Sequence, residues 1–162
     1  MGCDIHCYME FRHKDGKDWQ DFGRRINPGR NYTLFGYLAG VRGGPALVEP
    51  RGLPEGLAYY ARNDASLYIS DHEDEGNVTP EMAANFASGG CEYINDRNGK
   101  PWRVTHPDWH NHSWLTVGEF EAALAMMTEY RGYLTEYLAV LAALKSLQEN
   151  AGEARLVFWF DN

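Results

Sequence analysis

The last stretch of the chain, Arg155–Asp161, is apolar at consecutive positions rather than at alternate ones. An extended segment here presents apolar side chains on both faces, with Leu156, Phe158 and Phe160 on one and Val157 and Trp159 on the other. A strand that is apolar on both faces has to be covered on both sides, so it belongs in the middle of a sheet. The sequence therefore predicts a sheet whose central strand is the end of the chain.

The opposite end also reads as a strand, because apolar and polar side chains alternate from Cys3 to Arg12. One face carries Cys3, Ile5, Cys7, Met9 and Phe11, and the other carries Asp4, His6, Tyr8 and Glu10. The pair Asp15-Gly16 that follows is typical of a tight hairpin turn. We therefore expect Asp18–Phe22 to return antiparallel to the first strand.

Local signals predict further elements between these ends. They are a helix over Tyr32–Ala39 capped by Asn31, a helix that begins with Pro80 after Thr79, and a hairpin over Tyr93–Val104. A capping box formed by Thr116 and Glu119 then precedes a long helical pattern, Val117–Glu149. Uninterrupted, this helix would be about 50 Å long, which exceeds a compact domain of this size, so we expect a break near Thr128–Gly132.

These elements predict a single domain over residues 1–162 with an α+β fold. The expected architecture is a mixed or antiparallel sheet in which the N- and C-terminal strands are central and are packed by the C-terminal helices. A chain of 162 residues is long enough to bury a proper core. If the two terminal strands pair antiparallel, Asp161 and Asn162 lie beside Asp4 and His6 and form one polar site.

The composition disfavours several functional classes. A formal net charge of −8 argues against general nucleic-acid binding, which needs a basic face, although a local arginine pocket can still hold a small anionic ligand. Three cysteines, an odd number, favour reduced thiols in a cytosol over a disulfide framework. No apolar run is long enough to span a bilayer, and no signal-peptide pattern is present. We expect a cytoplasmic protein without membrane attachment, for which homo-oligomerisation stays open.

Asp4 and His6 are the first candidate site residues, because both point to the same side of the predicted first strand. A carboxylate and an imidazole placed in this way suit Zn, Mn or Fe, as in several metal-dependent phosphoesterases. A metal site needs at least one further ligand, and Asp161 is a candidate if the two ends meet. The alternative is a half-buried strand whose Asp4 and His6 form hydrogen bonds with neighbouring loops.

A second candidate lies in His106–Ser113, a histidine-dense segment that we expect to be a loop. His110 and His112 flank one residue, so an extended loop aims both imidazoles at one point. They precede the helix that begins after Thr116, whose free N–H groups favour an anion. The hypothesis assigns metal contact to Asp4, His6, His110, His112 and Asp161, and a catalytic role to Asp4, His6 and His112. The alternative is a polar loop whose histidines form capping and turn hydrogen bonds.

Ligand contacts are assigned to three arginines and one serine: Arg42, Arg51, Arg103 and Ser113. Arg42 and Arg51 lie in Gly40–Gly56, an irregular segment rich in glycine and proline that we expect to be a shaped functional loop. The planar guanidinium fork suits phosphate and carboxylate groups. Because the chain has 23 acidic residues, structural ion pairs are the alternative use of each arginine.

Several short segments spread over the chain carry a resemblance. They are Met1-Gly2-Cys3-Asp4-Ile5-His6, Arg30–Phe35, Pro50–Pro54, His112–Thr116 and Arg155–Asn162. Together they make the chain similar to a family of small bacteriophage proteins to which no activity is attached. The resemblance implies a phage gene product in a bacterial cytosol. Small phage proteins of that kind often modify host metabolism or counter host defence, frequently through nucleotides.

Functions of different classes fit these residues. The first is a metal-dependent hydrolase of phosphoesterase type that acts on a phosphorylated or nucleotide-like small molecule. The second is a non-catalytic binder that sequesters a nucleotide signal or a host protein, and a structural phage protein is the third. The glycine motifs of P-loop and dinucleotide-binding proteins do not occur, so ATPase and dinucleotide-dependent activities are poor alternatives.

Overall fold

The computed structural model describes residues 2–72, 74, 76–128 and 134–162. In chain order its elements are β1 (Asp4–His13), β2 (Gln20–Asp21), α1 (Tyr32–Ala39), a 3-10 turn (Val41–Gly43), α2 (Tyr59–Ala65), β3 (Ser66–Ile69), β4 (Asn77–Val78), α3 (Pro80–Ser88), β5 (Tyr93–Asn95), β6 (Pro101–Thr105), β7 (His110–Thr116), α4 (Val117–Ala125), α5 (Thr135–Ala151) and β8 (Gly152–Asp161). The strands form two four-stranded sheets, so the described chain has the α+β fold that the sequence predicts.

Sheet A contains both ends of the chain. Its strand order is β2-β1-β8-β7, and each neighbouring pair is antiparallel. β1 and β8 pair along their whole length, from Asp4 opposite Asp161 to His13 opposite Gly152. Both strands are therefore central, as predicted. The apolar faces of β8 require this position, and Phe158 and Trp159, on opposite faces, are both fully buried.

Different layers cover the two faces of sheet A. On one face α1, α4 and α5 form the main core, in which Phe120 and Leu144 pack in one cluster with Phe158. The predicted packing by the C-terminal helices is therefore confirmed. On the other face Ala61 of α2 and its neighbours pack in a cluster with Trp159. Burial of these apolar surfaces on both sides is the main contribution that stabilises the central strand.

Sheet B is a smaller sheet that the sequence pattern does not distinguish from the first. Its strand order is β4-β3-β6-β5, with β3 and β4 parallel and the other pairs antiparallel. β5 and β6 form the predicted hairpin, and Val78, Ala83 and Val104 form a small core beside them. β3 and β4 are only 4 and 2 residues long, so no alternation pattern can indicate which sheet they join.

Capping side chains place the helices where the sequence predicts them. Asn31 Oδ1 accepts a hydrogen bond from the Leu34 N–H at 3.0 Å and begins α1. Thr116 and Glu119 form the predicted capping box of α4, with each side chain accepting from the backbone N–H of the other residue. These bonds satisfy N–H groups that the first helical turn leaves without partners, so they set the start of each helix.

The long helical pattern Val117–Glu149 is interrupted in the structure. α4 ends at Ala125 and α5 begins at Thr135. Of the predicted break near Thr128–Gly132, only Thr128 lies within the described residues. Among the helices that the structure describes, none combines the length and the apolar composition needed to cross a membrane.

The histidine-dense segment His106–Ser113 is not the loop that its composition suggests. Its second half belongs to β7, which begins at His110 and pairs with β8. The register shifts between His110 and Ser113, and Asn111 within this bulge has a φ of 51°. The strand forms because β8 offers a pairing edge from the far end of the chain, which a local sequence pattern cannot reveal.

Candidate functional site

The two ends of the chain meet, because β1 and β8 pair antiparallel, which is the condition for the polar site predicted there. Asp4 lies opposite Asp161 in the sheet, and the Asp161 carboxylate is held by two groups of β1. Its Oδ1 accepts from the Asp4 backbone N–H at 3.1 Å, and its Oδ2 lies 2.7 Å from His6 Nε2. The predicted polar site at the chain ends is therefore present, and both oxygens of the Asp161 carboxylate have partners in β1.

His6 is packed beneath this site rather than exposed in it. Its ring is 4% exposed and lies 4.6 Å from the Trp109 ring and 5.6 Å from the Trp159 ring. Burial lowers the pKa of His6, and the hydrogen bond with Asp161 opposes this shift. The imidazole is therefore neutral at neutral pH and orients the Asp161 carboxylate.

The Asp4 carboxylate points outward and pairs with Arg30, which no sequence motif marks as a site residue. Arg30 Nε and Nη2 donate to the two Asp4 oxygens at 2.6 and 2.9 Å, in the two-pronged geometry typical of this pair. The Arg30 guanidinium also holds the pKa of Asp4 below its usual value. Arg30 directly precedes the Asn31 cap, but no spacing or motif links it to Asp4.

A cleft of about 720 Å³ opens at this edge of sheet A, and we call it the end cleft. Its charged lining consists of Asp4, Asp108 and Asp161 on the acidic side and Arg30 on the basic side, with the Trp109 ring as an apolar wall. Three carboxylates against one guanidinium make the end cleft acidic.

His110 and His112 do not reach the same cleft. His110 lines the end cleft, its Nδ1 lies 2.8 Å from Asn111 Oδ1, and its Nε2 has no partner in the described part of the chain. His112 is buried against the Trp159 ring at 5.8 Å, and its Nε2 also lacks a described partner. The bulge in β7 separates the two imidazoles, so the predicted convergence at one point is wrong.

The five predicted metal ligands do not gather around one ion in this arrangement. Across residues 2–72, 74, 76–128 and 134–162, no three His, Cys, Asp or Glu side chains are grouped to hold a metal. The Asp4 carboxylate pairs with Arg30, and the Asp161 carboxylate forms a hydrogen bond with His6. His112 is buried in the interior. Metal binding by these residues stays a prediction.

The Arg103 side chain is buried in sheet B and does not reach the polar site at the chain ends. It is 2% exposed, and its guanidinium donates to Ser66 Oγ at 2.8 Å and to Asn63 Oδ1 at 3.0 Å. Arg42 lies in the 3-10 turn with a φ of 62°, and its guanidinium is 5.2 Å from the Tyr32 ring. Neither of these two predicted ligand contacts lines the end cleft.

Arg51 and Ser113 connect β7 to the loop over residues 44–58, which lies between the 3-10 turn and α2 and which we call the long loop. The Arg51 N–H donates to Ser113 Oγ at 3.2 Å, and the N–H of Gly52 donates to the His112 carbonyl at 3.0 Å. Ser113 is fully buried by this contact, so it anchors the loop. The Arg51 guanidinium instead reaches Glu119 at 2.5 Å and covers the Trp114 ring at 4.2 Å.

This guanidinium lines a second cleft, of about 710 Å³, which we call the arginine–tryptophan cleft. It is defined by Arg12, Trp19, Arg51, Trp114 and Arg155. Arg12 lies 4.8 Å and Arg155 3.8 Å from the Trp19 ring. Only Arg51 is anticipated from the sequence, because the other four residues come from separate strands and turns with no shared spacing.

Protein-family models, curated proteins and solved structures offer no match to this chain. A functional conclusion therefore depends on the chemistry of the clefts themselves. The end cleft is acidic and contains an oriented carboxylate, whereas the arginine–tryptophan cleft combines guanidinium groups with indole faces. The two clefts are suited to different ligands.

Proposed function

We propose that the protein binds a phosphorylated, nucleotide-like small molecule in the arginine–tryptophan cleft. The observation that carries the proposal is the placement of Arg12 and Arg51 over separate indole rings, at 4.8 and 4.2 Å, within one cleft. Guanidinium forks match phosphate oxygens, and an indole face stacks on a base. A ligand held without conversion is sequestered, which fits the phage context that the sequence resemblance implies.

Both arginines can exchange their present partners for a phosphate. Arg12 pairs with Glu153 at 2.7 Å, with side chains 31% and 48% exposed. Arg51 pairs with Glu119 at 2.5 Å, with side chains 28% and 32% exposed. Ion pairs that are this accessible to water contribute little to stability, so a phosphate can replace either carboxylate at low cost. Arg155 also lines the cleft, but it stays paired with the buried Glu10.

The end cleft suits such an anion less well. Asp4, Asp108 and Asp161 all line it, and their field repels a phosphate. Its one lining guanidinium, that of Arg30, is already engaged by both oxygens of Asp4. The arginine–tryptophan cleft is lined by the guanidinium groups of Arg12, Arg51 and Arg155, which outnumber its lining carboxylates, and by two indole rings; the carboxylates are those of Glu55 and Glu153.

Replacing Arg51 with glutamine is expected to weaken nucleotide binding by about 10- to 100-fold, because a hydrogen bond between charged groups is lost. Isothermal titration calorimetry with nucleoside mono-, di- and triphosphates measures the change, and the matched nucleosides show how much of the affinity comes from phosphate. Trp114→Leu is expected to lower the affinity for the matched nucleosides as well as for the nucleotides, because stacking of the base on the indole is lost.

Arg30→Gln is the matched control, because Arg30 also forms an exposed pair with a carboxylate but lines the end cleft. It should leave nucleotide affinity unchanged. If Arg30→Gln weakens binding and Arg51→Gln does not, the ligand belongs in the end cleft. The absence of any nucleotide that raises the melting temperature of the wild-type protein would reject the proposal.

A second candidate function is hydrolysis of the same class of ligand in the end cleft. The Asp161 carboxylate, fixed by His6 and the Asp4 N–H, favours it, because an oriented carboxylate can accept a proton from water. Nucleotides are incubated with the protein, with and without Zn, Mn or Fe, and then recovered for analysis. Chemical alteration that Asp161→Asn abolishes and Asp108→Asn preserves would establish the hydrolase; intact recovery supports sequestration.

A further inference from the structure

A third cavity, of about 430 Å³, lies beside sheet B, and we call it the sheet B pocket. Its apolar lining comes from Leu53 and Leu57 in the long loop and from Ile94 in β5. Arg62, in the last turn of α2, and Trp102, in β6, add polar groups to this lining. The volume is in the range of ordinary small-molecule sites, which are mostly apolar with a few placed polar groups.

Two donors of the lining residues have no acceptor. Arg62 Nε and Trp102 Nε1 are both shielded from solvent, and neither has a hydrogen-bond partner among the described residues. Folded proteins satisfy nearly all buried polar groups, because an unpaired donor forfeits its hydration without compensation. Two such donors on adjoining residues of one pocket indicate that a ligand with acceptor atoms completes it.

The charge around Trp102 favours an anionic acceptor. The guanidinium carbons of Arg62 and Arg103 lie 5.6 and 5.7 Å from the Trp102 ring. Within the described chain neither Arg62 nor Arg103 has a carboxylate at ion-pair distance. Arg103 donates to neutral groups of Asn63 and Ser66 and lies 3.8 Å from the Tyr68 ring. Two cations without a carboxylate partner beside one indole leave positive charge that a bound carboxylate neutralises.

The rim of the pocket has the opposite charge. Glu55 and Glu92 line the pocket and are exposed to solvent, and Glu92 accepts a hydrogen bond from the Leu53 N–H at 3.3 Å. A third lining carboxylate, Asp96, is occupied by backbone N–H groups of its own turn. An acidic rim favours a cationic group on the same ligand.

We propose that the sheet B pocket binds a free α-amino acid with an apolar side chain. The carboxylate accepts from Arg62 Nε and Trp102 Nε1, the side chain contacts Leu53, Leu57 and Ile94, and the ammonium group faces the acidic rim. This site adjoins the arginine–tryptophan cleft, with which it shares the lining residues Leu53, Pro54 and Glu55, but the proposal does not depend on nucleotide binding in that cleft.

Calorimetric titration with three probes tests the assignment. L-leucine carries all three groups, isocaproate lacks the ammonium group, and isoamylamine lacks the carboxylate. Leucine is expected to bind most tightly, isocaproate more weakly, and isoamylamine not at all. Failure of both leucine and isocaproate to bind at millimolar concentration overturns the proposal, as does binding of isoamylamine as tightly as leucine.

Trp102→Phe keeps an aromatic ring but removes the indole N–H. Arg62→Lys keeps the positive charge but removes the Nε–H. Each is expected to weaken leucine binding about tenfold or more, with an unchanged melting temperature of the free protein. Trp114→Phe, in the arginine–tryptophan cleft, is the control and should leave leucine affinity as it is. Equal affinity of wild type and Trp102→Phe for leucine would overturn the role of the indole donor.

Arg51→Gln should weaken nucleotide binding but leave leucine binding intact. The amino-acid proposal and the nucleotide proposal can therefore fail independently of each other.

Discussion

Replacing Glu10 with alanine is expected to lower the free energy of unfolding by about 3–5 kcal/mol, because it leaves a buried arginine without its counter-ion. Glu10 is fully buried and Arg155 is 4% exposed, and Arg155 Nη2 lies 2.6 Å from Glu10 Oε2. Glu10 Oε1 also accepts from the Ala58 N–H at 2.9 Å. The substitution therefore removes the counter-ion and the anchor of the segment before α2 together.

Urea unfolding measures this loss, and the same strand pair offers its own control. Arg12 pairs with Glu153 at 2.7 Å on paired positions of β1 and β8, but these side chains are partly exposed to water. Glu153→Ala should change the free energy of unfolding far less than Glu10→Ala. A double substitution of Glu10 by Met and Arg155 by Leu should restore much of the loss, since no unpaired charge remains. Similar losses for Glu10→Ala and Glu153→Ala would contradict the assigned role of burial.

The second large effect is a loss of stability in mild acid that originates at His112. Burial lowers the pKa of His112 to about 4, and the nearby His110 and His6 add to the shift. In the unfolded chain the pKa of a histidine is about 6.5. Between pH 6.5 and pH 4 the unfolded state therefore binds more protons at His112 than the folded state does. This contribution to stability is complete above the unfolded pKa and declines as the pH falls below it. It should amount to about 3 kcal/mol between pH 6.5 and 4.

Unfolding free energies measured over this pH range for wild type and His112→Phe isolate the effect, because the other groups titrate alike in both proteins. As the pH falls, the His112→Phe variant should lose less stability than wild type. A smaller decline with the same sign should remain in this variant, because burial also lowers the pKa of His6. His13→Gln, at an exposed histidine, should follow wild type. Parallel curves for wild type and His112→Phe would show that His112 is not the proton-binding group.

The parts of the fold that were predictable from sequence have local causes. Residues two apart in β1 and β8 face the same way whatever surrounds them, so the faces of both strands follow from the alternation of their side chains. A capping side chain such as Asn31 or Thr116 acts on N–H groups within one helical turn, so those helices begin where predicted. The meeting of Asp4 and Asp161 followed from the antiparallel pairing of those two strands.

The candidate sites were less predictable, because their contacts join distant parts of the chain. Asp4 and Arg30 are separated by 26 positions, and Arg51 and Glu119 by 68. Arginines 51 and 103 look equally available in the sequence, yet Arg51 covers the partly buried indole of Trp114 and Arg103 is buried in sheet B with neutral acceptors. Burial decides between these uses, and a side chain's burial depends on every layer packed over it.

The sequence by itself determined the α+β class and the central position of the two terminal strands, because periodicity and capping act over a few residues. It predicted the polar pair at the chain ends only on the condition that these strands pair antiparallel, and the tertiary structure met that condition. Only the tertiary structure decided that the two histidines of β7 part at a bulge, that Arg30 and not Arg42 reaches the chain ends, and that guanidinium and indole groups share a cleft. Those outcomes depend on which surfaces the long loop and sheet B cover, and that is set by packing between segments far apart in the chain.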